Sequence, residues 1–492
     1  MAARAFSGGV RVPRIGIGEL AGRILFITLL AAAPLLPKLT CSSSSFPVVT
    51  NWWVCLPFCG LFLLALLDVR HPRRIYNLDL VVLGSLVLAF GCFERTRLPP
   101  MLMLYPPLIY LAVRMLVLAR VGRAAETPKT AAFRPWLPWP WLAIGIVVLS
   151  VVHVQWALDY RATADVGEAS VQRATRIVHG EALYGAERTR IAKAPDAHYD
   201  TYGPFNYEAY VPFTAIASST IAAHLASLFF SLLTAGLLFV LGRRVRGPTI
   251  GAALAFAWLA FPFTLYVDAF AFNDGLVAAT LTGTLLVIGA PLRRGAMIAL
   301  AGWTKLSPLA LVPVMIAQRA SAEENRPRAV MTFAAGFVVT SAVIFVPALD
   351  HNSLSTFIMR SFGYQASRLP QFSIWSVYGN GYRYAAWIVS ASEIVRGLLT
   401  AITLGFGLAL LHLPRRQDVV GLAGASASVL IALEICDGYY WFSYLLWFAP
   451  LVLVALTLDP HRNTNRNSNR TLAAESSGYR PDIRYQCDQA HT

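Results

Sequence analysis

Apolar runs of about membrane-spanning length follow one another through almost the whole chain, and a single long polar stretch, 157–208, interrupts them. With 56% hydrophobic and 14% charged residues in 492, no soluble fold has enough interior to hide these side chains. The sequence therefore predicts an all-α polytopic membrane protein. Before the polar stretch the runs fall near 24–36, 52–67, 80–92, 101–119 and 141–156. After it they fall near 221–241, 250–267, 275–290, 297–317, 329–349, 397–411, 419–435 and 440–456. Together they predict a bundle of about 11–14 transmembrane helices, with about thirteen as the central reading.

The formal charge is +15, which in a soluble chain would raise nucleic acid as a partner. Here the basic residues sit in short clusters at alternate ends of the runs: Arg70, Arg73 and Arg74; Arg120, Arg123, Lys129 and Arg134; Arg243, Arg244 and Arg246; Arg293 and Arg294; Arg319, Arg326 and Arg328; Arg415 and Arg416. This is the positive-inside pattern of a multi-pass cell-membrane protein, not a nucleic-acid footprint. It predicts both termini in the cytoplasm and the 157–208 loop outside.

One place breaks the alternation. Clusters at Arg293/Arg294 and at Arg319/Arg326/Arg328 both ask to be cytoplasmic, yet only the 297–317 run separates them. That run contains Lys305-Leu306-Ser307-Pro308, and Pro308 lacks an amide donor and disfavours helix at Ser307. Two half-helices meeting at a polar break would satisfy the charges, provided the broken backbone is buried or wet. A single kinked span is the other reading.

The chain divides into an N-terminal transmembrane unit of about four spans (1–140), a main transmembrane unit (141–458) with outer loops 157–208 and 350–381, and a tail (459–492) too poor in apolar residues to fold. Arg4, Arg11, Arg14 and Arg23 precede the first run with no small-residue cleavage site, which reads as a signal anchor. Cys55 and Cys59 share a helical face without His or acidic companions and read as packing residues. No spacing of His, Asp and Cys argues for a resident metal.

Candidate chemistry concentrates on the outer side. Asp165 opens a stretch of helical spacing, with Val171, Ala174, Thr175, Val178 and His179 recurring at three and four. A carboxylate there either takes a proton from a hydroxyl nucleophile or caps the helix beneath it. Residues Asp200 to Glu208 mix turn formers with aromatics, so Tyr202 and Glu208 belong to a wall of a site or to an interfacial anchor. Lys305, inside an apolar run, needs a partner, a wet cavity or a route to the interface. Arg360 and Arg368 in the 350–381 loop suit a phosphate or simply face water. Asp268, Asp274 and Glu208 fall near outer span ends, where they orient the acceptor or merely cap helices, and His179, His198 and His351 are predicted on the outer side, where any could relay a proton.

The order of these motifs resembles the GT-C superfamily of membrane glycosyltransferases, and within it glycosyltransferase family 87, whose members use polyprenyl-phosphate donors to transfer mannose or arabinofuranose. The resemblance is carried by Asp165 and the helix ending Val178-His179-Gly180-Glu181, then Tyr202-Gly203-Pro204-Phe205, Tyr210-Val211-Pro212-Phe213, Asn273-Asp274-Gly275-Leu276, the Trp303-to-Leu309 break, and Arg368 to Trp375. It implies a GT-C-like bundle with helices in its outer loops. The implied activity moves a sugar from a lipid phosphate to a hydroxyl of a glycolipid or polysaccharide on the outer face, with inversion. Membrane lipids are the surrounding partners and nucleic acid is not one.

The family's functional acidic residue then lands on Asp165 as general base. Lys305, Arg360 and Arg368 become candidates for the donor phosphate, and Tyr202, Glu208, Asp274 and His198 for the rest of the substrate. No cofactor is required, although a divalent cation bridging phosphate to Asp165 or Asp200 is compatible. In that family the acidic loop usually follows the first span, whereas here about four spans come earlier. A secondary transporter is the rival from another class. It asks for two similar halves with matching interruptions, and no internal repeat pairs the Lys305 break with an earlier one.

Overall fold

A computed structural model describes residues 17–35, 55–92, 98–120, 133–159, 163–185, 200–217, 219–319, 325–368, 370–376, 386–413 and 415–459. The tail beyond 459, His198 and the charged residues of 186–199 lie outside the described residues. Within them the fold is helical throughout, with one isolated parallel bridge, Gln371 to Tyr439, as its only β pairing. Lipid imposes this, because a helix satisfies its own backbone where no water can.

Six helices are long and apolar enough to cross a membrane: Met103–Arg120, Trp139–Asp159, Ser219–Arg246, Arg326–Leu349, Trp387–Ala409 and Val419–Cys436. A seventh crossing is the pair Pro248–Ala260 and Pro262–Ala269, bent by 54°. The sequence reads this pair as one span; Pro262 removes an amide donor and leaves Phe261 extended, with ψ of 120°. Six further apolar helices have 10–17 residues, among them Asp274–Leu286 and Phe442–Thr457. The chain is thus an all-α polytopic membrane protein.

Val419–Cys436 runs through the middle of the bundle, 78% of its apolar window buried, whereas Trp387–Ala409 lies at the edge with 11%. The N-terminal helices are not a separate body. Phe26 packs on Phe256, Phe62 on Phe261 and Phe90 on Phe442, so one continuous core joins them to the later helices. One polar contact within them is Asp79, which takes the Arg114 guanidinium at 2.9 Å and the Tyr110 hydroxyl at 2.8 Å.

The irregular run at 297–317 folds back on itself. Helix Pro291–Thr304 stops at Lys305, whose backbone is extended (φ −137°, ψ 144°), and the chain returns through a 3-10 turn, Ser307–Leu311, and a short helix, Val312–Ile316. At the base, Arg294 Nη2 donates to Gln318 O at 2.9 Å, and Arg415 donates to Gln318 Oε1 (3.2 Å) and Val314 O (2.6 Å). Start and end of the run therefore meet, as the two half-helices require and a single kinked span forbids. Fourteen helical residues give the outgoing arm a reach of about 21 Å, with Lys305 at its tip. Other basic clusters gather at the same end as this base: the Arg416 amide bonds Ala119 O, its side chain pairs with Asp459, and Arg246 reaches Thr457 O and Phe133 O.

Candidate functional site

At the other end of the bundle, the turn between Pro262–Ala269 and Asp274–Leu286 is the point on which the site is built. Ala271 in this turn has φ of 54°, a left-handed conformation costly for a residue with a side chain. Its carbonyl lies so close to Gly167 that any Cβ there would collide with it. The helix Asp165–Val178 therefore seats directly on the turn, and Ala164 N–H fastens it by donating to Phe270 O at 2.8 Å.

Asp165 is the first residue of that helix and is exposed. Ala164 stands at the cap position and makes no side-chain cap bond; among the described residues, Asp165 Oδ1 accepts from the next amide, Val166 N, at 2.8 Å. A capping aspartate normally bonds two or three residues ahead, so the cap reading does not account for this side chain.

On the other side of the same turn, Asp274 begins its helix fully buried. Its Oδ1 accepts from Lys305 Nζ at 2.6 Å and from Trp447 Nε1 at 2.7 Å. Its Oδ2 meets no donor among the described residues. Lys305 does not snorkel to an interface: its ammonium points inward, 5% exposed, and lies 5.2, 5.1 and 5.2 Å from the ring centres of Tyr202, Tyr444 and Trp447. One ion pair and three ring faces hold a charge that lipid alone would not tolerate.

Tyr202 reaches the lysine because Gly203 lies against the carbonyl of Trp303, where a Cβ could not fit. The following helix, Pro204–Glu208, starts on proline, which has no amide to leave unsatisfied.

Arg368 arrives from the late loop. Its guanidinium lies 3.2 Å over the centre of the Tyr439 ring and 5.6 Å from that of Tyr364. The loop is pinned by Gln371 N donating to Gly438 O (2.8 Å) and Tyr440 N donating to Gln371 O (3.2 Å). Charges of Asp165 and Arg368 both act on Lys305, and the charge of Asp165 also acts on Tyr202 and Tyr439. Three sequence-predicted residues, Asp165, Lys305 and Arg368, thus share one electrostatic neighbourhood.

Arg360 is placed differently. Its Nε lies 3.7 Å from Asp200 Oδ2, the atom that also accepts from Gly185 N at 2.8 Å. Asn352 bonds both the amide and carbonyl of Tyr184, at 2.8 and 2.6 Å. These contacts tie the two outer loops together. Glu208 is half-buried beside them, one oxygen without a donor among the described residues, and burial pushes its carboxyl up to about 8. Burial also lowers Arg173 from its ordinary value, the nearby Asp200 only partly offsetting it. Among the described residues no group of three or more His, Cys, Asp and Glu side chains could hold a metal ion.

Sequence reading missed Tyr439, Tyr444 and Trp447, which lie beyond the late loop in what looks like the start of an ordinary span. The aromatic run Tyr439-Tyr440-Trp441-Phe442, directly after Asp437-Gly438, was the available signal. It also missed Ser170 and Asn206, for which no local signal exists.

Compared with known proteins, the model of glycosyltransferase family 87 matches residues 201–435. The matched region contains Tyr202, Glu208, Asp274, Lys305, Arg360 and Arg368, and begins downstream of Asp165. No curated protein matches the chain.

Proposed function

As the chain belongs to glycosyltransferase family 87 and is a membrane glycosyltransferase, we propose that it moves a mannose- or arabinofuranose-class sugar from a polyprenyl-phosphate donor to a hydroxyl of a glycolipid or polysaccharide on the outer face of the cell membrane. The observation that carries this reading is an exposed carboxylate, Asp165, in the electrostatic field of a buried lysine and a ring-stacked arginine.

In the reaction, Asp165 accepts the proton of the acceptor hydroxyl while that oxygen attacks the anomeric carbon. The bond from that carbon to the phosphate oxygen breaks, and its electron pair leaves with the polyprenyl phosphate. Attack opposite the leaving group inverts the anomeric centre. Lys305 and Arg368 supply positive charge where the leaving phosphate gains negative charge, in a site from which aromatic rings keep water. Arg368 retains its fork of donors while its face rests on Tyr439. Tyr202, between Lys305 and the outer loops, forms the wall against which the sugar lies. Asp274 holds Lys305 in place and offers its second oxygen to a sugar hydroxyl. Arg360 serves the phosphate indirectly, by fixing the loop through Asp200. His198 remains a proposed acceptor-side contact. No cofactor enters the scheme, and a divalent cation between phosphate and Asp165 is compatible with it.

Membranes containing the wild-type protein, supplied with labelled polyprenyl-phosphate sugars, should transfer label to endogenous acceptors, and Asp165→Asn should lower the rate by about 10²- to 10⁴-fold, the usual worth of a general base. Unchanged transfer by Asp165→Asn sinks the assignment of the base; absence of transfer from any such donor sinks the donor class.

A further inference from the structure

We propose that Asn206 is a positioning residue, which holds the first turn of the Asp165 helix in register with the start of the Asp274 helix. The inference rests on Asp165 being the base. Three fully buried side chains form a hydrogen-bond chain with one direction. Asn273 Nδ2 donates to Asn206 Oδ1 at 2.9 Å, Asn206 Nδ2 donates to Ser170 Oγ at 2.9 Å, and Ser170 Oγ donates to Val166 O at 2.7 Å.

The ends of this chain give it meaning. It starts on the residue before Asp274 and finishes on the carbonyl of the residue after Asp165. Asn206 itself belongs to the short helix Pro204–Glu208, whose entry at Gly203 is pressed against Trp303, two residues from Lys305. One amide side chain therefore joins the pieces of backbone that carry the base and the buried acid, while the short helix it belongs to rests at Gly203 on the piece that carries the lysine.

An amide suits the task because it accepts on one atom and donates from another about 2 Å away, so its two partners are bridged in a fixed plane. The second tie, Ala164 N to Phe270 O, holds only the backbone at the helix end. Asn206 adds a side-chain link one turn further in, through Ser170. The cost of losing it falls on the aim of Asp165 and not on the binding of either substrate, because Asn206 is fully buried and touches neither. A shift of about 1 Å at a reacting group is worth on the order of a hundredfold in rate.

The test uses full-length protein in lipid nanodiscs, with donor and acceptor kinetics and amide hydrogen exchange measured on the same samples. Asn206→Ala should lower kcat by on the order of a hundredfold while both KM values stay within about twofold. Exchange should quicken at 166–170 and stay unchanged in the central Val419–Cys436 helix. Ser170→Ala, a milder change that decides the matter if Asn206→Ala does not fold, should reproduce both effects, and the double variant should be no worse than Asn206→Ala alone.

A kcat for both variants within about threefold of wild type, the size of an ordinary surface change, overturns the proposal. So does quickened exchange throughout the molecule, which marks a merely structural asparagine. Failure of the underlying reading is separable, since it shows in wild type and in Asp165→Asn before any Asn206 variant is made.

Discussion

Asp268 and Asp274 stand six residues apart on either side of one turn, both fully buried, yet their surroundings differ in kind. Asp268 has both oxygens satisfied: Oδ2 by His153 Nδ1 at 2.6 Å, Oδ1 by Ser231 Oγ at 2.6 Å and Ser227 Oγ at 3.2 Å. His153 is itself used at both ends, its Nε2 lying 2.9 Å from Leu259 O. A carbonyl cannot donate, so Nε2 carries a proton, and the other proton lies between Nδ1 and the carboxylate. Asp274 holds two partners on one oxygen and none on the other. A buried carboxylate with both oxygens engaged is a fixture that joins helices; one left half satisfied beside a caged lysine has capacity for a ligand.

The strongest way to break this comparison is to remove each acid. Asp268→Ala takes the carboxylate partner from His153 Nδ1 and Ser231 in the apolar interior and should cost about 3–5 kcal/mol of stability, as breaking a buried pair does. Thermal unfolding in detergent, followed by loss of the monodisperse peak, reads it. Melting like that of wild type would mean that the Asp268 group is not the fixture described.

The Asp274–Lys305 pair should respond in the opposite sense. Replacing both members, Asp274→Asn with Lys305→Met, leaves no lone charge behind and should keep most of the stability. Transfer should still fall by on the order of 10²- to 10³-fold, the worth of one well-aimed group at a developing negative charge. Near-normal turnover by the double variant would make this pair a second fixture and erase the distinction.

Both groups bear on how far the sequence could be read. Apolar runs and basic clusters specify the bundle because lipid permits one backbone solution, and the conflict of charges around 297–317 singles out Lys305 before any coordinate is known. Asp165, Lys305 and Arg368 are legible as unusual residues for their surroundings. Their partners are not. His153 and Asp268 are 115 residues apart, Trp447 and Asp274 173, and nothing local at a tryptophan in an apolar run says which carboxylate it meets. Ser170, Asn206 and Asn273 resemble any small polar residues near helix ends. The bend at Pro262 was written in the sequence, but an apolar run on both sides concealed it.

The smallest expected effect sharpens the comparison at a third acid. Glu208, like Asp274, keeps one oxygen without a donor among the described residues, but none of these pairs a cation with it, and burial pushes its carboxyl up to about 8. In the unfolded chain the same group titrates near 4.3. Between these values the folded state binds more protons than the unfolded one, so stability contributed by the neutral form is full below the lower value and is lost as pH rises through the upper. Glu208→Gln removes the titration while keeping the shape. Its melting temperature should therefore fall less than that of wild type between about pH 5 and 8, the two converging at the acid end, where the wild-type side chain is also neutral. Parallel curves over that window would mean that Glu208 is ionised in the fold, and that a cation or donor on the substrate side meets its free oxygen.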